Sequence, residues 1–428
     1  MKKTGFLQRI KMFLLCCGLF FISGEVMAYG EKTDLRREVD GSEALFSMES
    51  NALRRKYPVL RWRDPEQTLL YCPPRFLSRF HYGTYPVYEL QFRIRNRKVS
   101  SMEVTVYTRG DAGDMRKKNA RQIHQALLQD LQGLTRVSPK RSYTFLQSLR
   151  TSVDTFLSPR IHGELLLISD RRKNPEKILL RFSGPGSQSP SLKESYRTHI
   201  NTGNLPSKVI RKNGDTYVRI PMVDQGSKGY CVPATVSRVL MHYGSSMDMH
   251  SLARMMNSRA DEGTFLDKTI DTLKKIDRKL RVRFQEKYRY NYRDNADRYA
   301  AFLRSYNKIA RKMGSAKLKY STEFDDMRLD YRVFQALRLK KPWRDFSGYI
   351  RSNIDRGIPV MWSILVFPKN RQGPVNVSGH LRLITGYNST RGELIYSDSW
   401  GPGHEKKRMK LSDAWVITTR LFTLEPSR

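Results

Sequence analysis

A segment rich in glycine, proline and serine, residues 184–191, divides the sequence into two parts with different patterning. Such a composition is typical of a linker, because glycine and proline end helices and strands. Before it, one long helical pattern is mixed with alternating apolar and polar residues, including a β-hairpin around 88–106, which predicts an α+β domain at 29–185. We therefore predict a linker at 186–214 and a second α+β domain at 215–428.

The second domain is predicted to be helical first and β-stranded second. A helical pattern begins at Cys231 and ends at Gly244, and apolar residues at three- and four-residue steps predict further helices around 265–276 and 299–309. Short apolar runs then predict strands at 359–366, 381–386, 394–397 and 415–418.

The first 28 residues have the three regions of a secretory signal peptide. Basic residues at positions 2, 3, 9 and 11 precede an apolar run at 13–22, and small residues follow it. This run is too short for a membrane-spanning helix, and no later run is longer. We expect cleavage after residue 28 and export of the mature chain to the periplasm or the extracellular space, without a transmembrane segment. An uncleaved membrane anchor is the alternative.

The sequence is strongly basic, with 78 Lys and Arg residues against 41 Asp and Glu residues, a formal charge of +37. Such an excess favours an anionic partner. The segment 274–344 carries 22 of the basic residues, interleaved with tyrosines. Basic and aromatic side chains can bind single-stranded nucleic acid, but they can also form solvated helix faces over a tyrosine-rich core. We favour the second interpretation. For an exported chain we expect an acidic envelope polymer or an acidic peptide as partner, and not nucleic acid.

Four cysteines in 428 residues exclude a disulfide-stabilised scaffold. Cys16 and Cys17 are removed with the signal peptide, so the mature chain keeps Cys72 and Cys231. In an oxidising compartment these two can form one disulfide, whereas a chemical role for Cys231 requires a free thiol. The two alternatives compete.

Cys231 stands in the first turn of its predicted helix, directly after a glycine-rich loop. Free N–H groups and the helix dipole stabilise a thiolate in that position. A thiolate nucleophile needs a base, and His380, at the entrance of the strand predicted at 381–386, is the candidate. Asp398 ends the next strand and can orient the His380 ring if the two strands pair antiparallel. Gln225, in the loop, and the Cys231 backbone N–H can stabilise an oxyanion.

Each of these residues alone has a simpler structural interpretation, since a lone cysteine at a helix start is more often a small core residue. Together they follow the order nucleophile, base and acid. Cys231 and His380 are 149 positions apart, within the window of about 130–150 positions seen in papain-type enzymes.

Three segments resemble papain-like cysteine peptidases in their sequence. They are Asp-Gln-Gly and Gly-Tyr-Cys at 224–226 and 229–231, Gly-His-Leu-Arg-Leu-Ile-Thr-Gly-Tyr at 379–387, and Ser-Asp-Ser-Trp-Gly at 397–401. Among these peptidases the bacterial family-39-like enzymes, similar to the domains that remove bacteriocin leader peptides, are the better match. They commonly use Asp as the third residue and carry Gln shortly before the Cys. The resemblance covers about 215–428.

The resemblance implies a role for each matching residue. Cys231 corresponds to the nucleophile, His380 to the base and Asp398 to the residue that orients it. Gln225 corresponds to the oxyanion-hole residue, and Trp400 to the tryptophan that shields the His–Asp pair from water. No cofactor and no metal is implied.

The resemblance also implies a two-lobed α+β catalytic domain, in which a helical half and an antiparallel β half face each other across a cleft. The implied activity is hydrolysis of amide bonds in a protein or peptide substrate through a Cys231–His380–Asp398 triad and an acyl-enzyme. A papain-fold acyltransferase or amidase is one alternative, because the same triad serves it. A non-catalytic module that binds acidic cell-surface polymers is the other, although decayed enzymes usually lose at least one active-site residue.

Overall fold

The computed structural model describes residues 32–112, 117–146, 149–185, 204–245, 247–258, 260, 266–277, 281–290, 292, 295–320, 328–340, 344–368 and 373–427. The signal peptide expected at 1–28 lies outside these residues, as do residues 186–203 of the expected linker. Within the described part of the chain, no helix has both the length and the apolar character needed to cross a membrane.

The described residues form two compact units. The larger unit consists of residues 32–289, 343–364 and 380–428, and the smaller unit of residues 290–342 and 365–379, in each case as far as they are described. The larger unit therefore contains most of the predicted domain 29–185 and most of the predicted domain 215–428. The division of the chain into these two domains stays a prediction.

Most of the helices in the described part of the chain are short. One helix before residue 184 has 19 residues, and three helices after residue 208 have eleven residues or more. They are α1 (Leu35–Asp40), α2 (Ser42–Ser47), α3 (Ser50–Lys56), α4 (Arg109–Ala112), α5 (Lys117–Thr135), α6 (Cys231–His242), α7 (Met249–Met255), α8 (Leu266–Ile276), α9 (Ala296–Lys312), α10 (Tyr331–Leu339), α11 (Phe346–Ile354) and α12 (Leu411–Ile417).

The strands fall into a group before residue 184 and a group after residue 208. The first group is β1 (Thr33–Asp34), β2 (Arg61–Trp62), β3 (Leu69–Tyr71), β4 (Phe80–Tyr82), β5 (Tyr85–Pro86), β6 (Glu89–Arg95), β7 (Lys98–Thr108), β8 (Lys140–Leu146), β9 (Leu149–Leu157), β10 (His162–Asp170) and β11 (Pro175–Ser183). The second group is β12 (Val209–Lys212), β13 (Asp215–Val218), β14 (Val282–Arg289), β15 (Arg328–Asp330), β16 (Val360–Val366), β17 (Pro374–Asn376), β18 (Ser378–Asn388), β19 (Glu393–Ser397), β20 (Lys407–Lys410) and β21 (Thr418–Pro426).

The first eight-stranded sheet has the order β2-β3-β6-β7-β11-β10-β9-β8 and is antiparallel. The hairpin predicted around 88–106 is its β6–β7 pair. Helix α5 buries Leu127 and Leu131 in the same core as Phe156 and Leu165 of the sheet. This spacing of four residues places both leucines on one face of the helix, which explains why α5 covers the sheet.

The second large sheet has the order β12-β13-β18-β16-β21-β14, and β19 joins it by pairing with β18 and with β20. Helix α6 packs on this sheet, because Val236, Val239 and Leu240 share a core with Leu381 and Leu383 of β18. The α+β fold class with antiparallel sheets is confirmed.

Three sequence-based expectations differ from the structure. Residues 415–417 belong to α12, so the strand predicted at 415–418 is wrong, and β21 begins only at Thr418. Residues 414–417 are all buried, and a short apolar run buried on all sides does not distinguish strand from helix. Strand β14 lies between the helices of the predicted helical half. Residues 209–212, expected in the linker, form β12, which pairs with β13.

The smaller unit contains α9, α10 and the two-stranded β15–β17 sheet. Tyr299, Phe302 and Tyr306 of α9 are buried, and the Tyr292 and Phe302 ring centroids are 4.5 Å apart. The Tyr306 hydroxyl accepts a hydrogen bond of 2.7 Å from the Asp330 backbone N–H. The tyrosines of α9 in the basic segment thus form a packed core, as in the interpretation we favoured.

Candidate active site

Helix α6 begins at Cys231 after the glycine-containing loop 224–230. The residue before it, Tyr230, makes no side-chain capping bond, so the first-turn N–H groups have no side-chain cap. They lie at the positive end of a 12-residue helix and favour negative charge on the Cys231 sulfur. Cys231 is a free, partly exposed thiol.

His380 lies near the start of β18, where the strand enters the core. Its Nε2 and the Asp398 Oδ1 are 2.6 Å apart, and the ring also interacts with the Cys231 side chain. Burial opposes charge on the ring, but the Asp398 charge and hydrogen bond, together with Cys231, outweigh it and raise the pKa of His380 to about 9. The imidazole is therefore protonated at neutral pH, next to the sulfur.

Asp398 reaches His380 because β18 and β19 pair antiparallel. Leu383 lies opposite Ser397, so the continued register places Asp398 beside Arg382, on the same face of β18 as His380. The Asp398 Oδ1 also accepts from the Ser399 N–H at 2.8 Å. Burial favours the neutral acid, but His380 and Arg382 outweigh it and lower the pKa of Asp398 to about 2.

Trp400 covers one face of the His380 ring. The two ring centroids are 4.6 Å apart with an interplanar angle of 22°, a stacked arrangement. The outer side of Trp400 is open, since 42 % of the residue is exposed. The indole therefore stands between the His380–Asp398 pair and solvent on that side.

Gln225 is buried and makes four hydrogen bonds, one of which its carbonyl accepts from the Lys228 N–H at 3.4 Å. Its backbone N–H donates to the Ser399 carbonyl at 2.9 Å, and its Oε1 accepts from the Ser399 hydroxyl at 2.6 Å. Its Nε2 donates one hydrogen to the Lys228 carbonyl at 2.9 Å. An amide nitrogen carries two hydrogens, so the second remains for a substrate oxygen. Gln225 and Asp398 are thus coupled through Ser399, which lies next to Asp398 in sequence.

Gly401 allows this segment to approach the loop before Cys231. It has a positive φ of 82°, and a Cβ on it would lie 2.1 Å from the Asp224 Oδ2. Only glycine combines that backbone conformation with that close approach. The glycine is part of the Ser-Asp-Ser-Trp-Gly segment noted in the sequence.

Four supporting residues were not predicted. Arg382 donates from Nε to the Asp398 Oδ2 at 2.7 Å, and Thr235, one turn after Cys231, donates to the Leu381 carbonyl at 3.3 Å. Ser399 links Gln225 to the segment after Asp398, as described above. The fully buried Arg238 of α6 donates to the Ser397 hydroxyl. The i, i+2 spacing of His380 and Arg382 was the one available signal, because it places both on one strand face.

Cys72 has a different environment from Cys231. It is buried with 3 % exposure, its Sγ contacts the Pro73 carbonyl at 3.6 Å, and burial raises the pKa of its thiol to about 12. Cys72 and Cys231 are both free thiols in the structure, so the disulfide alternative is not the state observed. No group of three or more His, Cys, Asp and Glu residues suited to a metal ion occurs in the described part of the chain.

The arrangement is a thiol at a helix N-terminus, an imidazolium against it and a buried carboxylate behind the ring. Residues 217–421 match the model of the Peptidase_C39 like family. Among solved structures, xylellain, a cysteine protease from Xylella fastidiosa, is 11 % identical to this chain, with a TM-score of 0.28; the match covers 54 % of this chain and 91 % of xylellain. No curated protein sequence matches the chain.

The family model covers residues 217–421, which are 205 of the 428 residues, and it supports a cysteine peptidase. This match confirms the resemblance that the sequence predicted.

Proposed function

We propose that this chain is an exported cysteine peptidase that cleaves amide bonds through an acyl-enzyme on Cys231. The observation that carries the proposal is the placement of His380, which interacts with Cys231 and whose Nε2 lies 2.6 Å from the Asp398 Oδ1. A thiol, a raised-pKa imidazole and a carboxylate in this order are the parts required for nucleophilic catalysis by cysteine.

In the first half of the reaction, the Cys231 thiolate attacks the substrate carbonyl carbon. The oxygen becomes negative and accepts hydrogen bonds from the free Nε2 hydrogen of Gln225 and from the Cys231 backbone N–H. His380 then gives its proton to the leaving amine nitrogen as the C–N bond breaks. The product is a thioester between the acyl part of the substrate and the Cys231 sulfur, with neutral His380.

In the second half, neutral His380 takes a proton from water, and the resulting hydroxide attacks the thioester carbonyl. The C–S bond breaks and releases a carboxylic acid, and the thiolate–imidazolium pair is restored. Asp398 stabilises the imidazolium in both halves without itself taking a proton. If an amine attacks the thioester in place of water, the product is a new amide and the reaction is acyl transfer. The experiment below therefore distinguishes acyl transfer from hydrolysis.

The substrate that this site favours is a peptide or protein with acidic residues. The formal charge of +37 for the whole sequence attracts anionic molecules and repels basic ones. Export is proposed from the signal-peptide pattern of residues 1–28. It predicts that the protein recovered from the producing cell's envelope or medium begins near Tyr29.

The test is hydrolysis of a peptide library that contains acidic, neutral and basic sequences. Cys231→Ala is expected to abolish cleavage, whereas the matched variant Cys72→Ala retains it, because the Cys72 thiol is buried against the Pro73 carbonyl. Products that contain an added amine, and not a free acid, would assign acyl transfer. Unchanged cleavage by Cys231→Ala would overturn the proposal.

A further inference from the structure

The loop that precedes Cys231 is held from outside the peptidase family segment, by residues 63–111. Two hydrogen bonds and two close approaches at glycines follow one another along it. The Met222 N–H donates to the Arg63 carbonyl at 2.7 Å, and the Lys228 Nζ donates to the Asp111 Oδ1 at 2.6 Å. The backbone of Gly226 approaches Pro74 closely, since a Cβ on Gly226 would lie 3.5 Å from it. Gly110 approaches Tyr230 more closely still, since a Cβ on Gly110 would lie 2.7 Å from the Tyr230 hydroxyl.

Asp111 is itself anchored to the first sheet. Thr108, the last residue of β7, is fully buried, and its hydroxyl donates to the Asp111 Oδ2 at 2.7 Å. The Asp111 N–H donates back to the Thr108 hydroxyl at 3.0 Å. The remaining oxygen of Asp111 accepts from Lys228, whose side chain is only 10 % exposed. The carboxylate is therefore held in place relative to the sheet, and its bond to Lys228 holds the loop in place as well.

Lys228 in turn holds the nitrogen side of the Gln225 amide. Its carbonyl accepts the hydrogen bond from the Gln225 Nε2 at 2.9 Å. A lysine that loses its ionic partner moves more freely, and its carbonyl with it. The second Nε2 hydrogen is then no longer directed at a fixed point, and an oxyanion donor that is misplaced by about 1 Å loses much of its effect.

We propose that Asp111 is a positioning residue for the oxyanion hole, so that the segment 108–111 is a working part of the enzyme and not one that must be removed for activity. The inference rests on the proposed function, because it assumes that Gln225 stabilises an oxyanion. Asp111 acts only through Lys228 and touches neither the substrate nor the Cys231 sulfur.

Two reagents that react at Cys231 test this proposal on the full chain. p-Nitrophenyl acetate acylates the thiol through a tetrahedral oxyanion, whereas iodoacetamide alkylates the thiolate by displacement of iodide, without an oxyanion. Loss of the oxyanion hole therefore slows acylation alone, whereas loss of the thiolate or of the fold slows both. The ratio of the two rates isolates the proposed role.

Asp111→Asn is expected to lower the acylation rate about tenfold and to leave the alkylation rate unchanged. Lys228→Met is expected to act in the same way, and the double variant to be no worse than either single variant, because both remove one interaction. The matched control is Glu38→Gln, which removes the ion pair of Lys56 with Glu38, also 2.6 Å long, within α1 and α3.

An Asp111→Asn variant whose ratio equals that of Glu38→Gln would overturn the inference and leave the proposed function intact. The same holds if Asp111→Asn slows both reactions equally, because that result indicates a general loss of structure. A wild-type protein that is alkylated but never acylated at Cys231 would overturn the proposed function, and the inference with it.

Discussion

Arg382 and Asp398 form a nearly buried ion pair, in which the Arg382 Nε donates to the Asp398 Oδ2 at 2.7 Å. The other oxygen of the same carboxylate faces His380 at 2.6 Å. One anion with 1 % side-chain exposure is thus shared between two cations. The sharing satisfies both oxygens, so Asp398 is held in place without depending on His380 alone.

Replacing Arg382 with Gln is expected to lower stability at neutral pH by about 2 kcal/mol, because a buried carboxylate loses a charged hydrogen-bond donor. The pKa of Asp398 is lowered in the folded state to about 2. Its contribution to stability is therefore fully present above its ordinary pKa and is lost as the pH falls through about 2. Thermal unfolding of both proteins between pH 7 and pH 2 checks this. A difference that stays constant over that range would contradict the role given to Arg382.

Asp398→Asn is expected to be milder than His380→Ala. Asn still accepts a hydrogen bond from the ring, whereas His380→Ala removes the acid–base group and costs about 10³-fold in turnover. The comparison is made by steady-state hydrolysis of one library substrate at pH 6. The reverse order would show that Asp398 has been assigned the wrong role.

The pH profile of peptide hydrolysis is expected to fall above about pH 9, because the leaving amine takes its proton from the His380 imidazolium and the pKa of His380 is raised to about 9. In Asp398→Asn the carboxylate charge that raises this pKa is gone, while burial still lowers it. The falling limb therefore moves to lower pH. An unshifted limb in the variant would exclude His380 as the group that titrates.

Iodoacetamide is expected to alkylate Cys231 far faster than Cys72. Cys231 is partly exposed at a helix N-terminus, whereas Cys72 is 3 % exposed and burial raises the pKa of its thiol to about 12. Peptide mapping of the labelled protein measures both rates in one sample. Equal labelling of the two thiols would remove the case for an activated Cys231.

Ser399→Ala is expected to slow acylation by p-nitrophenyl acetate about tenfold, since Gln225 loses the donor that holds its Oε1. Alkylation by iodoacetamide is expected to be unchanged. Ser352→Ala is the matched control, because the Ser352 hydroxyl donates only to the Tyr349 carbonyl at an exposed helix position. If the two variants behave alike, the Ser399–Gln225 bond does not support the oxyanion hole.

The sequence predicted the fold class and the residues that meet at the site because both depend on local patterns. Alternation gave the β6–β7 hairpin, and the order of Cys231, His380 and Asp398 together with antiparallel pairing predicted their meeting. The structure brings these three residues together with Gln225 and Trp400 in one site. Their chemical roles stay proposals.

The sequence did not predict what depends on distant contacts. The pairing of Asp111 with Lys228 joins residues 117 positions apart, and no periodicity marks either one. The smaller unit combines residues 290–342 with residues 365–379, which begin at the end of β16, so tertiary packing alone decides which segments belong to it. The error at 415–418 has the same origin, since those residues are buried from several sides.

Formation of an acyl-enzyme on Cys231 can be observed by mass spectrometry after a brief reaction with p-nitrophenyl acetate. We expect one acetyl group per chain, located by peptide mapping on Cys231, absent in Cys231→Ala and slow to form in His380→Ala. Cys72→Ala is expected to acylate as the wild type does. Acetyl groups on Cys72 or on surface lysines, with Cys231 unmodified, would show that Cys231 is not the nucleophile.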